Sequence, residues 1–332
     1  MLRLYAIGAG GLRPLAADLS QGLPREAAWI DLVTPTPEEE SALERALGIA
    51  VPTREEAGGI QASDRLVARN GTLLMSALVP VGPHPDPADT IPITFVRTGE
   101  RLVTVRYGRA EALDPFIERY ASGEIEADDA SGLLAALLEA IVDRVADQLE
   151  EVGHRLDRLG RAVFHRGGAN ARRQGTRRLP LGRNTDRLQE AIEDIGMEHA
   201  RAAKLRECVQ SLLRLAAFAG EHAQEVGLHK RLKAVETDLR AAAEYNAFLA
   251  GNMEFILDAT VGLIDIQQNK AIYMLTIVSV LLTPPVLVAS VYGMNFHDIP
   301  ELGWHYGYAW ALGLMALSAL VSYLLFKRRG WL

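Results

Sequence analysis

One set of positions in the last third of the chain steps by three or four residues at a time: Asp258, Gly262, Asp265, Asn269, Ile272, Leu275, Ser279, Thr283, Val286 and Ser290. On an α-helix that spacing puts them all on one face. Most are small, polar or acidic, and the set runs on into a strongly apolar stretch of sequence. A polar face surrounded by lipid needs a partner, and two arrangements supply one: a helix-packing interface or a water-filled pore that passes ions. Small-residue packing accounts for Ser279 and Ser290 as well as a pore does, so periodicity leaves both readings open. Two spans cannot enclose a pore, so the pore reading requires a homo-oligomer with this helix innermost.

The elements that must hold this face are legible nearby. Ala271 to Val291 reads AIYMLTIVSVLLTPPVLVASV without a charge, long enough at 1.5 Å per residue to cross a bilayer core of roughly 30 Å. A second uncharged run, YAWALGLMALSALVSYLLF, covers Tyr308 to Phe326. These runs predict spans over about 271–292 and 308–326. Lys270 precedes the first, Lys327, Arg328 and Arg329 follow the second, and the connecting loop has no Lys or Arg. That bias puts both termini in the cytoplasm. Tyr292, Trp304, Tyr306, Tyr308 and Trp310 crowd the outer boundary and Trp331 the inner one, where amphipathic rings prefer to sit.

Upstream, the pattern predicts an α+β cytoplasmic domain: an α/β portion over 1–129, long helices and a stalk over 130–270, and a two-helix transmembrane domain over 271–332. Extended signals occur at Leu2 to Ile7, Ala27 to Val33, Thr72 to Val81, Ile93 to Gly99 and Arg101 to Tyr107. Thr36, Pro37 and an acidic first turn start a helix over 35–47. From Ala130 apolar residues step by three or four as far as Val163, and a Gly- and Arg-rich connection with Pro180 follows. No proline then occurs until Pro284. Leu228, Leu232, Val235, Leu239, Ala242, Asn246, Leu249, Met253, Ile256, Thr260 and Leu263 alternate by four and three, a coiled-coil-like seam with polar interruptions at Asn246 and Thr260. One helix from about His222 to about Tyr292, on the order of 100 Å long, therefore enters the membrane unbroken.

Composition removes several function classes. A net charge of −7 with pI near 5.7 argues against general nucleic-acid binding. The lone Cys208 excludes an intramolecular disulfide framework, fits a reducing compartment and leaves no zinc-ligand cluster. The first residues, MLRLYAIGAGGLRPLA, make too short an apolar run for a signal peptide. IGAGG at Ile7 to Gly11, with Asp31 about twenty residues on, imitates a dinucleotide fingerprint, but Arg13 stands where the third glycine is required. No enzyme is expected.

At the outer end of the first run stands Tyr292-Gly293-Met294-Asn295-Phe296, followed by HDIPELGWHYGY and a terminal FKRRGWL. With Gly-Met-Asn closing the first of two C-terminal spans, Pro300-Glu301-Leu302 in the loop and a basic, Trp-containing tail, the sequence resembles the CorA family of magnesium transporters. The last sixty or so residues carry most of the resemblance, and WIDLVTPTPEE at Trp29 to Glu39 extends it. It implies a funnel-shaped homopentamer in a bacterial-type inner membrane, with the first span lining the pore and Gly293, Met294 and Asn295 forming an outer selectivity ring. Magnesium sheds water reluctantly, so neutral carbonyl and amide oxygens suit its hydration shell without stripping it. Asp298 and Glu301 in the loop would concentrate cations at the mouth. Farther in, Thr283 and Ser279 offer hydroxyl oxygen, Ile272 and Leu275 a hydrophobic constriction, and Asn269, Asp265 and Asp258 inner rings.

The resemblance further implies Mg2+ as transported ion and gating ligand, with no tightly bound cofactor. Co2+ and Ni2+ are further cargo. The alternatives are a zinc carrier of the same superfamily and a non-transporting, membrane-anchored oligomeric scaffold. The middle Met294 favours magnesium over zinc. Two features depart from the pattern: His297 follows the signature Phe, and Pro284-Pro285 doubles a single proline. Glu236, Asp238 and Glu244 are candidates for a regulatory metal site, against a plainer reading as solvated stalk charges.

Overall fold

The computed structural model describes residues 1–8, 11–16, 22–58, 65–69, 71–81, 90–110, 112–125, 127–164, 181–294 and 300–329. The chain divides into two units, Met1–Gly175 with Glu190–Leu257, and Thr176–Gln189 with Asp258–Leu332.

The first unit holds one mixed sheet. Its strands are β1 (Leu2–Gly8), β2 (Gly11–Leu15), β3 (Trp29–Val33), β4 (Leu66–Arg69), β5 (Thr72–Pro80), β6 (Thr90–Thr98) and β7 (Arg101–Arg106), in the order β2-β1-β3-β7-β6-β5-β4. Every neighbouring pair is antiparallel except β3 and β7. β6 and β7 pair through Thr98 and Arg101, so Gly99-Glu100 is a two-residue hairpin loop, and Gly99 takes the left-handed φ of 55° that such a loop favours. The expected strands all appear. β2 and β4 were not expected: β2 carries Pro14 at the sheet edge, where a missing amide is tolerated, and β4 is a four-residue strand.

Helix α1 (Pro37–Leu47) starts as its sequence dictates. The Thr36 hydroxyl accepts from the Glu39 amide, the Glu39 carboxylate accepts from the Thr36 amide, and Pro37 sits in the first turn. It ends at Gly48 with φ 65°. Its Leu43 is buried in a core with Leu4, Ile30, Leu32, Val51, Val96, Val103 and Val105. Two short helices, α2 (Arg54–Gly58) and α3 (Leu113–Ala121), complete this region.

Long helices follow: α4 (Ala130–Phe164), α5 (Leu181–Glu221) and α6 (Val226–Tyr292). Within the first unit α4 and α6 run parallel, with Arg231 Nη2 bonded to Glu139 Oε2 at 2.7 Å. α5 runs antiparallel to them: Arg155 meets Glu198 at 3.0 Å, and Asn246 Nδ2 donates to the Ala202 carbonyl at 2.9 Å. The expected seam is buried from Leu228 through Thr260, including both polar interruptions. Ser211 on α5 ties the helices to the sheet by accepting from the Leu78 amide at 2.9 Å.

The second unit contains α6 beyond Leu257, a 3-10 turn at Pro300–Gly303, and α7 (Gly307–Arg328). α6 passes Pro284 and Pro285 without interruption, although two amide donors to the preceding turn are lost there. Both α6 and α7 are long and apolar enough to cross a membrane, and their apolar stretches are almost wholly exposed in the single chain.

Candidate functional site

The sequence places the candidate face on α6, and the structure leaves it uncovered within one chain. Asp258, Asp265, Asn269, Ile272, Leu275, Ser279, Thr283, Val286 and Ser290 are all exposed, with Ile272 and Leu275 at 62% and 68%. Gly262 is half-buried. Apolar side chains at that exposure are unfavourable in water, so this stretch of α6 demands lipid or other helices around it.

On α6 beyond Leu257 the hydroxyls of Thr276 and Thr283 are oriented by the backbone. Thr283 Oγ1 donates to the Ser279 carbonyl at 2.6 Å, and Thr276 Oγ1 donates to the Ile272 carbonyl at 2.9 Å. Each hydroxyl has therefore spent its proton inward and keeps its lone pairs as acceptors, the polarity that the water shell of a cation needs. Thr276 was not among the sequence candidates. Its four-residue spacing from Ile272 was the available signal.

At the end of α6 the Gly293 amide donates to the Ala289 carbonyl at 2.9 Å and the Met294 amide to the Val291 carbonyl at 3.3 Å. A Cβ on Gly293 would stand 3.1 Å from the Ala289 oxygen, so the backbone closes tightly there. Asn295, His297 and Asp298 lie outside the described residues, and Glu301 is described only as backbone of the 3-10 turn. Of the expected outer-boundary aromatics, Trp304, Tyr306, Tyr308 and Trp310 are more than half exposed and Tyr292 is half-buried. Lys327 and Arg328 occupy the last turn of α7, where cations also meet the helix dipole favourably.

The stalk acids do not gather into one site. Glu236 pairs with Lys233 and Arg240 on its own helix, and those partners hold its carboxyl below the usual range. Glu244 is exposed. Asp238 lines a groove between α4 and α6 with Asp143, Glu150, Asp157 and Tyr245. Among the described residues no three His, Cys, Asp or Glu side chains converge to hold a metal ion.

The dinucleotide resemblance has no counterpart in the fold. Gly8 and Gly11 face each other across the β1–β2 hairpin, and among the described residues β3 is the next element. Asp31 is buried and paired with Arg106, so it cannot reach a ribose.

The chain is similar to known proteins along nearly its whole length. It matches the CorA-like Mg2+ transporter protein family over residues 25–328. It is 30% identical over 307 residues to the magnesium transport protein CorA of Pasteurella multocida (strain Pm70), covering 92% of each chain. With the protein of that name from Escherichia coli (strain K12) it shares 30% identity over 333 aligned positions, covering 100% of both. Among solved structures, the complete CorA magnesium transporter from Methanocaldococcus jannaschii superposes with a TM-score of 0.76 at 16% identity, covering 100% of this chain and 99% of that one. A two-span C-terminal arrangement, a mixed sheet followed by long helices, and sequence similarity across the full length all agree: the chain belongs to the CorA-like Mg2+ transporter family.

Proposed function

We propose that this chain is one subunit of a homopentameric magnesium channel in the inner membrane, with both termini cytoplasmic and five copies of α6 lining a central pore. The observation that carries this is the exposed, oxygen-bearing face of α6 within a chain of this family. Residues 271–332 form the transmembrane domain in this reading, α7 lies outside α6, and residues 1–270 form the cytoplasmic part.

Hydrated Mg2+ is drawn to the mouth by Asp298 and Glu301 and held through its water shell by a ring of Gly293, Met294 and Asn295. Neutral oxygens there bind weakly enough to let the ion leave. Inside, hydroxyls of Ser290, Thr283 and Ser279 accept hydrogen bonds from the ion's waters. Val286 narrows the passage between them, Ile272 and Leu275 form an apolar constriction, and Asn269, Asp265 and Asp258 receive the ion at the cytoplasmic end. The membrane potential supplies about 4.6 kcal/mol per dication at about 100 mV, twice the unit-charge value, so the passage needs no hydrolysis. Co2+ and Ni2+, of the same charge, follow the same route.

Uptake of Mg2+ into liposomes bearing the purified protein tests this, with Asn295→Ala alongside and Zn2+ in parallel. Magnesium flux that the substitution abolishes is the expected result. Zinc flux without magnesium would make the chain a zinc carrier, and absence of any flux from folded protein would make it a scaffold.

A further inference from the structure

Besides the part-buried Arg231–Glu139 pair and Ser211, the described long helices of the first unit carry one cluster of buried polar and charged side chains. On α4, Gln148, Glu151 and Arg155 are spaced by three and four residues and so share a face. Arg155 bonds Glu151 at 2.6 Å and Glu198 of α5 at 3.0 Å, while Arg201 of α5 bonds the second Glu151 oxygen at 3.4 Å. Asn246 of α6 joins α5 at the next residue, donating to the Ala202 carbonyl. Gln148, Glu198, Arg201 and Asn246 are all at least nine-tenths buried. Buried apolar residues interleave with this layer, Val145, Leu149, Val152 and Leu156 on α4 and Ile195 and Leu205 on α5.

The layer is balanced in charge, two carboxylates against two guanidiniums, yet its hydrogen bonding is incomplete. Both amide atoms of Gln148, one carboxylate oxygen of Glu198 and Nε of Arg201 are buried with no partner among the described residues. Natural proteins seldom leave such groups dry, because each forfeits its hydration, and internal water bridging them is the usual solution. Arg201 is met by Glu151 and Glu198 by Arg155, three and seven residues along α4 from Gln148, so water entering along about two turns of α4 reaches all three. The layer is partly open, with Glu151 44% and Arg155 38% exposed, and a layer held by water is weaker than the interdigitated ones around it.

We propose that this level is a hydrated joint: water enters between α4, α5 and α6 here, completes the bonds of Gln148, Glu198 and Arg201, and makes this the place where the three-helix stack opens first. Opening breaks the Asn246 bond and so releases α6, the helix with the exposed oxygen-bearing face, from α5. The joint is a property of the stack and does not depend on which ion, if any, the chain carries.

Amide hydrogen exchange on the full-length protein in lipid nanodiscs tests it. Amides of residues 148–155 and 198–205 are expected to exchange about tenfold faster than those of 133–142 and 208–215 in the same helices. Equal or stronger protection at the joint would overturn the proposal, on the wild-type protein alone. Gln148→Leu fills the same space without polar atoms and is expected to slow exchange at the joint by about tenfold and raise the unfolding temperature. Faster exchange with a lowered unfolding temperature would mean that the amide has a fixed protein partner, and the joint would be dry.

Discussion

Asp31 and Arg106 meet across the parallel seam between β3 and β7: Arg106 Nη2 donates to Asp31 Oδ2 at 2.8 Å and Nε to Oδ1 at 3.2 Å, with the two residues 1% and 0% exposed. Thr104 donates to the same carboxylate at 2.8 Å, and Trp29 Nε1 donates to Thr104 at 3.0 Å. This chain of bonds satisfies a forked, two-pronged ion pair in the middle of the sheet. Arg106→Met strands a buried carboxylate and is expected to cost about 3–5 kcal/mol in chemical unfolding of the purified protein. Adding Asp31→Leu to it should recover most of that loss, since the buried charge goes with its partner. A single substitution as mild as the double one would show that water already reaches the pair.

Gly11 opens β2 at φ 109°, and a Cβ there would run into the Tyr120 carbonyl at the end of α3. Gly11→Ala therefore meets both backbone strain and a rigid wall, and should lower stability by about 1–3 kcal/mol. Gly48 has φ 65° with nothing within 4 Å of the missing Cβ, so Gly48→Ala carries the strain alone, about 1 kcal/mol. Thermal unfolding of the two variants side by side checks the order.

What the sequence revealed and what it hid follow from how local each signal is. The capping chemistry at Thr36, Pro37 and Glu39 lies within four residues, and α1 begins there. The seam from Leu228 to Thr260 and both apolar spans repeat over many turns and stand where periodicity puts them. β4 is too short for its alternation to register, and β2 depends on a hairpin partner more than on its own residues. Asp31 is legible as an acid within an expected strand, but its partner is 75 residues away, a distance at which no local pattern speaks. The same limit applies to the face on α6. Its positions are set by helical spacing, whereas whatever covers it lies outside the single chain.

Cys208 is fully buried on α5, and that burial, helped by the nearby Glu207 carboxylate and opposed by Lys204, pushes its thiol from 9.0 up to about 12. The folded state thus holds the proton where the unfolded chain would lose it. The resulting stabilisation is complete below about pH 9 and is lost as pH rises through about 12. A thiol reagent at about pH 8.5 should leave the native protein unlabelled and modify one thiol per chain after denaturation. Rapid labelling of the native protein would show that α5 opens at this level.

Thr283 donates its proton to the Ser279 carbonyl at 2.6 Å, so its oxygen faces outward as an acceptor only. If five such oxygens meet the water shell of a passing cation, Thr283→Val removes them while keeping the shape of the side chain. Loss of one modest hydrogen bond per subunit predicts Mg2+ uptake lowered by about two- to tenfold in liposomes. Thr283→Ser, which restores the oxygen, should return uptake to near the wild-type rate. The rival role for the residue is packing, because a β-branched side chain on a membrane helix also fits against a neighbouring helix. In that case valine packs as well as threonine and uptake is unchanged, whereas serine, lacking the methyl, weakens the assembly measured by cross-linking in the same liposomes. The two substitutions therefore fail in opposite directions, and their order tells whether Thr283 meets water or protein.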